Sequence, residues 1–395
     1  MGRMRLPVGI QSFEEIRSGD FLYVDKTEYI YRLAHYCIPY FLSRPRGFGK
    51  SLLISAMKAY WEGRKELFRG LKIEELECGN AEAWQGYPVF YFEFGGKNYR
   101  DRDALENLLQ DLLAEWGKAY EIDTDLSVER QFRLVLRKTH KETGKNCVVL
   151  VDEYDKPLLD APEDKELVDH NKELLKQFFG ILNGEEDYLQ FVFITGETKF
   201  AKGSIFGDLK QLRDISSAKE YAGICGISRK ELEESFAPEI EALSEAQECT
   251  VAECLEQLRC RYDGYRFHEQ GGGIFHTCSI LKAFMDREFG TYWSRTEIMP
   301  FLIKRLRENS FDVQRFADGT VHVSKRMLSD YRDDPPDPIV LLYQTGYLTL
   351  EEYIRDLEVY ILTFPNEEVK EVFVESLQST DFGSEDGPAD DSEAE

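Results

Sequence analysis

The amino-acid sequence predicts an α/β fold, a parallel sheet flanked by helices, followed by a mainly helical second part. Three observations carry that expectation. Four apolar runs, at 38–42 (IPYFL), 88–94 (PVFYFEF), 147–153 (CVVLVDE) and 191–196 (FVFITG), have the length and the β-branched or aromatic content of strands buried on both faces. Amphipathic helical patterns lie between them. From about residue 226 the strand signal gives way to helical periodicity.

Between the second and third runs, Leu105, Leu108, Leu109, Leu112, Leu113 and Trp116 recur at intervals of three and four. Asp103 stands in the N-cap position with Glu106 three residues on, a capping-box-like start, and the pattern ends near Gly117. Before the fourth run, Leu167, Leu174, Leu175, Phe178, Phe179 and Leu182 repeat the pattern, closed by Asn183-Gly184. Strands alternating with helices indicate a doubly wound sheet, whose ligands bind beyond the carboxyl ends of the strands. Further on, SRKELEESF, VAECLEQLRCRYDGYRF, SILKAFMDREF and PFLIKRLRENS read as helices, and YLTLEEY (347–353) and LEVYILTF (357–364) as short closing strands. The expected division is 1–225 for the α/β domain, 226–365 for the mainly helical domain and 366–395 for an acidic tail. Residues 379–395 hold seven acids and no base, a composition that favours disorder.

Across the 395 residues, 49 Lys plus Arg face 74 Asp plus Glu, a net charge of −25 that repels phosphate backbones and anionic lipid. The first 60 residues are the exception, with nine basic side chains against five acidic ones, so an anion site belongs there. The chain shows no apolar run of 18 or more residues and opens without a secretory-type stretch, which suggests a cytoplasmic protein with no membrane partner. Eight cysteines lack a C-x-x-C pair and fit reduced thiols. Cys249, Cys254, Cys260, His268, His276 and Cys278 fall within thirty residues but match no common zinc spacing.

The chemistry concentrates after the first strand. Ser43-Arg44-Pro45-Arg46-Gly47-Phe48-Gly49-Lys50-Ser51 leads into a helical pattern marked by Leu53, Met57, Tyr60 and Trp61. A polyphosphate needs inward N–H groups, glycines that let the backbone approach, a lysine for the outer phosphates and a hydroxyl for magnesium, all at a helix N-terminus. Arg46, Gly47, Phe48, Gly49, Lys50 and Ser51 are the candidate binding loop. The usual G-x-x-x-x-G-K-[ST] pattern places glycine at 44, where this chain has Arg44 followed by Pro45. Pro45 offers no N–H, so the cradle is expected to begin at Arg46 or Gly47, with Arg44 and Arg46 adding positive charge.

The third run ends in Asp152-Glu153. In a phosphate-loop NTPase a carboxylate at that place holds Mg2+ opposite the loop hydroxyl, and a second acid polarises the attacking water. Asp152, with Ser51, is the candidate metal ligand, and Glu153 the candidate water-orienting group. Lys50 joins it as the second catalytic candidate. Thr195, at the end of the fourth run, is a candidate γ-phosphate sensor or an ordinary strand hydroxyl. Arg213 carries no distinguishing signal.

The segments SRPRGFGKSLL, VLVDEYDKPLL and FVFITGETKFAKGSIFGDLKQLRDIS together resemble the AAA-ATPase-like family of bacterial and mobile-element proteins. The resemblance extends through YDGYRF (262–267), LLYQTGYLTLEEY (341–353) and FPNEEV (364–369). It implies a P-loop ATP-binding domain with a helical, lid-like or winged-helix-like part, Lys50 and Ser51 in the loop and Asp152-Glu153 as the acidic pair. Such proteins are often fused to a PD-(D/E)XK nuclease-like domain, which is expected to be absent here. Phe275-His276-Thr277-Cys278, where the family tends to read Tyr-Asn-Pro, and Arg295-Thr296-Glu297 depart from the pattern. Glu197-Thr198-Lys199 and Glu368-Val369-Lys370 show the Glu-x-Lys of metal-dependent nucleases without the surrounding domain.

The favoured function is ATP binding with Mg2+-dependent hydrolysis, coupled to the helical part. The alternatives are a nucleotide-gated module with negligible turnover and a protein-interaction module with a vestigial loop. A protein partner or homo-oligomer is compatible with each. DNA association would need a local basic face such as Lys304, Arg305 and Arg307, against the overall charge.

Overall fold

The computed structural model describes residues 4–36, 38–123, 125–293, 299–308, 320–329 and 337–382. Five strands, β1 (Tyr40–Ser43), β2 (Val89–Glu93), β3 (Cys147–Asp152), β4 (Leu189–Gly196) and β5 (Arg213–Asp214), form one parallel sheet in the order β2-β3-β4-β1-β5. Four of them are the apolar runs of the sequence. The fifth is two residues long and carries no periodic signal.

The alternation of side chains along each strand divides the core into two layers. Val148, Leu150, Phe191 and Phe193 point to one face, and Val149, Val151, Val192 and Ile194 to the other. The first face is covered by α1 (Lys50–Trp61) through Leu53, Ile54, Met57 and Trp61. On the second face lie α2 (Ala104–Gly117), α3 (Val128–Thr143) and α4 (Lys165–Gly180). Asp164 caps α4 by accepting from Leu167 N, whereas Asp103 occupies the N-cap of α2 without a side-chain cap bond, so the expected capping box is not formed.

Parallel register sets where the strands end. Glu93 lies opposite Asp152, Val151 opposite Ile194, and Ser43 opposite Gly196. The carboxyl ends of β1 to β4 therefore open on one edge, with β4 between the strand that feeds the glycine loop and the strand that ends in the acids.

Beyond residue 226 the chain is mainly helical, as expected. Helices Arg229–Ser235 and Ala237–Ala246 pack with α5 (Val251–Tyr262) and α6 (Thr277–Asp286) around Leu232, Ile240, Leu243, Leu258, Ile280 and Phe284. Leu22, from the start of the chain, belongs to the same cluster. Within this region β6 (Ile227–Ser228) pairs antiparallel with β7 (Ile274–Phe275). The two closing strands, β9 (Thr349–Ile354) and β10 (Val359–Thr363), join β8 (Val321–Ser324) in an antiparallel sheet in the order β8-β10-β9.

The stretch expected as an acidic tail from 366 opens with a helix. Glu367–Phe382 is helix α7, whose Val369, Val372 and Phe373 are buried in the same cluster as α1. An apolar stripe at spacings of three and four anchors it, despite the surrounding acids. Residues 383–395, and the Arg295-Thr296-Glu297 segment, lie outside the described residues.

The Phe92 ring sits 5.0 to 6.0 Å from those of Trp116, Phe132, Phe178 and Phe179, joining β2 to three helices. Phe92→Ala is expected to cost about 3–5 kcal/mol in denaturant unfolding, because the surrounding rings cannot close the cavity.

Candidate nucleotide-binding site

The loop between β1 and α1 is shaped by two glycines with left-handed backbone, Gly47 at φ +80° and Gly49 at φ +90°. A Cβ at Gly49 would meet nothing within 4 Å, so its outer face is open space. At Gly47 a Cβ would lie 2.3 Å from His276 Nε2, so only glycine lets this turn pack against that ring. Gly49 is also the N-cap of α1, which turns the first free N–H groups of the helix, and its positive dipole end, toward the loop. Lys50 is 4% exposed, and its Nζ donates to the carbonyls of Arg44 (2.9 Å) and Pro45 (3.2 Å). Arg46 is exposed, and Ser51 is half-buried.

Across from the loop, Asp152 and Glu153 are positioned by Thr195. Its hydroxyl donates to Asp152 Oδ1 at 2.6 Å and accepts from the Glu153 N–H at 3.4 Å. Thr195 is fully buried, and its hydroxyl bonds are those of the strand-end alternative, which hold Asp152 and the Glu153 backbone in place. Glu153 holds a left-handed backbone at φ +55°, unusual for a residue with a side chain. Its carboxylate lies where a Cβ on Gly95 would stand, 2.6 Å from Oε2, so the glycine makes room for the acid.

A third carboxylate, Glu93, ends β2 beside them. Burial together with the charges of Asp152 and Glu153 raises its pKa. The Tyr91 hydroxyl is likewise pushed up, by burial and by the same acids. Sequence reasoning missed Glu93 because FEF looks like the continuation of a strand; only the register against Asp152 reveals it.

The glycine loop and the three carboxylates line one cavity of about 320 Å³. Arg46 to Leu53 form one wall, and Glu93, Gly95, Gly96, Asp152 and Glu153 another. The remaining wall is largely apolar. It comes from the start of the chain (Pro7, Ile10, Leu22, Tyr23, Val24), from Ile224 and Ile227, and from Phe236 and Leu281 of the helical region. Lys26 closes this side by donating to Gly223 O and pairing with Glu231 at 2.6 Å. No motif signalled the apolar wall, since it draws on three distant stretches.

Two loop side chains face away from the cavity. The Phe48 ring packs edge-on against Tyr265, Phe267 and His276, so at this position only the backbone is available to a ligand. Arg44 is 1% exposed; its guanidinium donates to the carbonyls of Ser43, Ser216 and Tyr221 and lies 3.9 Å from the Phe267 ring centroid. The positive charge expected of Arg44 in the cradle is spent in the core. Burial lowers its pKa.

Arg213 is exposed and paired with Glu220 at 2.6 Å. Lys199 and Lys202 pair with Asp214, and Lys304 and Arg305 pair with Glu163 and Glu308. Among the described residues no three His, Cys, Asp or Glu side chains are arranged to hold a metal ion by themselves. Of the residues weighed for zinc, Cys254 is buried on α5, while His276 and Cys278 stand at the start of α6, against the glycine loop.

Glu197, just past β4, is half-buried, with Oε1 inaccessible and without a hydrogen-bond partner. Burial is the largest influence on it and, opposed by Lys50, pushes its pKa up to about 7. Neighbouring Asp155 accepts from Glu197 N and from the N–H and hydroxyl of Thr198, fixing the turn.

Arg44→Met is expected to destabilise the protein by about 3 kcal/mol, because it strands buried carbonyls without a donor; equilibrium unfolding measures it. For Glu197 the folded pKa is raised, so its contribution to stability is complete below about 4.5 and is lost as pH climbs through about 7. Thermal midpoints measured between pH 5 and 9 should fall less for Glu197→Gln than for wild type.

The profile of a family described as Predicted AAA-ATPase matches residues 7–206, which include the glycine loop and the acidic strand. A curated relative, "Uncharacterized protein in vnfD 5'region" of Azotobacter chroococcum mcd 1, is 33% identical over 381 residues, covering 95% of this chain and 70% of the relative. Among solved structures, the Aeropyrum pernix ORC2 protein in ADPNP-ADP complexes is similar at 12% identity and a TM-score of 0.33, covering 92% of this chain and 97% of that one. So distant a superposition leaves the site to stand on its own geometry. By its sequence match over residues 7–206, half of its length, the chain belongs to the predicted AAA-ATPase family.

Proposed function

We propose that the protein binds ATP with Mg2+ and hydrolyses it. The observation that carries this reading is that a glycine loop at a helix N-terminus and three strand-end carboxylates line the same cavity of about 320 Å³, which an apolar wall completes. The cavity is within the size range of small-ligand sites, and its two kinds of wall suit a molecule with a flat apolar end and a polyanionic one.

In this reading the N–H groups from Arg46 to Ser51, with Lys50, take the phosphates. The lysine exchanges its two carbonyl acceptors for phosphate oxygens, a stronger charge-assisted partner. Ser51 and Asp152 would hold Mg2+, which supplies charge neutralisation at the phosphates. One or two protein ligands suffice for this ion, since waters and phosphates complete its shell. Glu153 orients the attacking water, and Thr195 keeps both acids aimed. Glu93 adds negative charge that a bound cation relieves. The base lies against the apolar wall.

Nucleotide state would reach the helical region through the backbone of the loop. Gly226 N donates to Phe48 O, Cys278 N to Gly47 O, and His276 faces Arg46 O. A division at 225/226 therefore falls directly on a loop contact.

Calorimetry and a phosphate-release assay test the reading together. Lys50→Ala should weaken ATP binding at least about tenfold, the loss of a charge-assisted contact. Glu153→Gln should keep binding and lower turnover by about a hundredfold. ATP binding that depends on Lys50 but yields no phosphate, alone or with added partner proteins, would leave a nucleotide-gated module. Undetectable binding by the wild type would leave an interaction module.

A further inference from the structure

Behind the glycine loop runs a buried chain of side chains that phosphate chemistry does not use. His276, the N-cap of α6, is 3% exposed, and its Nε2 lies 3.0 Å from Arg46 O. Its Nδ1 lies 2.8 Å from Ser279 Oγ and also faces Ser279 N at 3.4 Å. Ser279 Oγ lies 2.7 Å from Glu368 Oε2, on α7, and Glu368 Oε1 accepts from the N–H groups of Tyr292 and Trp293. Both Ser279 and Glu368 are fully buried.

With the buried His276 ring neutral, counting protons sets the polarity of the chain. Arg46 O can only accept, so Nε2 carries the imidazole hydrogen. A neutral ring then offers a lone pair at Nδ1, which accepts from Ser279 N and from the serine hydroxyl. That uses the only hydroxyl proton of Ser279, and the contact between Ser279 Oγ and Glu368 Oε2 needs a proton from the carboxyl group. With Glu368 protonated every contact has a donor and an acceptor, and the buried chain is neutral throughout. A carboxylate with a neutral imidazole would leave two acceptors facing each other, about the worst arrangement for buried polar atoms.

We propose that Glu368, carried as a neutral carboxylic acid, is a positioning residue that holds the phosphate-binding loop through Ser279 and His276. Burial is the main cause and raises the Glu368 pKa, outweighing the Ser279 hydroxyl, the Tyr292 and Trp293 N–H groups and the Arg261 charge, which lower it; burial also lowers the pKa of His276 to about 4. The groups facing Glu368 are Arg261 and Tyr262 on α5, Tyr265 beyond it, and His276, Cys278 and Ser279 at the start of α6. Of these only Arg261 is charged, and its guanidinium is paired with Glu371 at 2.9 Å. Lys50 and Lys282, the cations near His276, disfavour a second proton on the ring. Because the folded pKa of Glu368 is raised, its hold on the loop extends above the ordinary carboxylate range and is lost as pH rises through the folded value.

The consequence for nucleotide affinity rests on the function proposed above; the attachment of the loop does not. Hydrogen exchange of the Gly226 and Cys278 amides, which donate to the loop carbonyls of Phe48 and Gly47, in nucleotide-free protein between pH 5 and 9 and corrected for intrinsic rates, therefore tests it directly. Ser279→Ala and Glu368→Ala should speed exchange there about tenfold, the worth of one hydrogen bond. Glu368→Gln reproduces the neutral acid, with an amide donor for Ser279 and a carbonyl for the two N–H groups. It should keep the loop protected and abolish the rise in exchange that wild type shows toward alkaline pH. Unchanged protection in Ser279→Ala, a Glu368→Gln as loose as Glu368→Ala, or parallel pH profiles for wild type and Glu368→Gln would each overturn the proposal. Circular dichroism checks the fold of each variant; if Glu368→Ala does not fold, Ser279→Ala and Glu368→Gln decide. A loop that responds as expected in a protein that binds no ATP would overturn the nucleotide reading alone.

Discussion

Everything at the site follows from the register of one parallel sheet. Because Glu93, Asp152 and Thr195 end at the same level on adjacent strands, a single hydroxyl can aim two acids, and a third acid stands beside them. A slip of one residue would send Asp152 to the opposite face and bury Val151 differently, which the two-sided apolar core forbids. The packing that gives the protein its core thus also fixes its polar edge.

That edge concentrates charge in an arrangement that is uneasy by itself. Three carboxylates crowd one wall, and the elevated pKa of Glu93 records their repulsion and burial. Facing them are the positive end of α1 and Lys50, whose amine rests on loop carbonyls. A polyanion accompanied by a divalent cation would satisfy both walls at once. The net charge of −25 is compatible with this, because the charge that matters is the local field inside a cavity and not the sum over the surface.

The loop is held from outside as well as from its own strand. Arg44 locks its first turn into the core, Phe48 anchors its middle among Tyr265, Phe267 and His276, and Gly47 lets the imidazole approach. Those aromatic and imidazole partners all come from beyond residue 226, so the phosphate-loop part and the helical part share one buried cluster that runs on to α7. The departure from the usual glycine at 44 has its physical account here: an arginine at that position takes a buried structural place, and the φ of proline stiffens the next step.

The sequence by itself determined the four long strands, the helices that cover them, the glycine loop and the Asp152-Glu153 pair. Each of these is local: a run of one periodicity, or adjacent residues at a strand end. It passed over α3, although Phe132, Val135 and Leu136 mark its buried face, and it did not read a helix over 367–382, because acids outnumber the apolar stripe of α7. Only the tertiary structure decided that Glu93 joins the acids, that Thr195 positions them, that Arg44 and Phe48 turn inward, and that the start of the chain walls the cavity. Those facts depend on strand register and on contacts between residues hundreds apart, such as His276 with Arg46, and no local pattern encodes which side chain will meet another across a folded core.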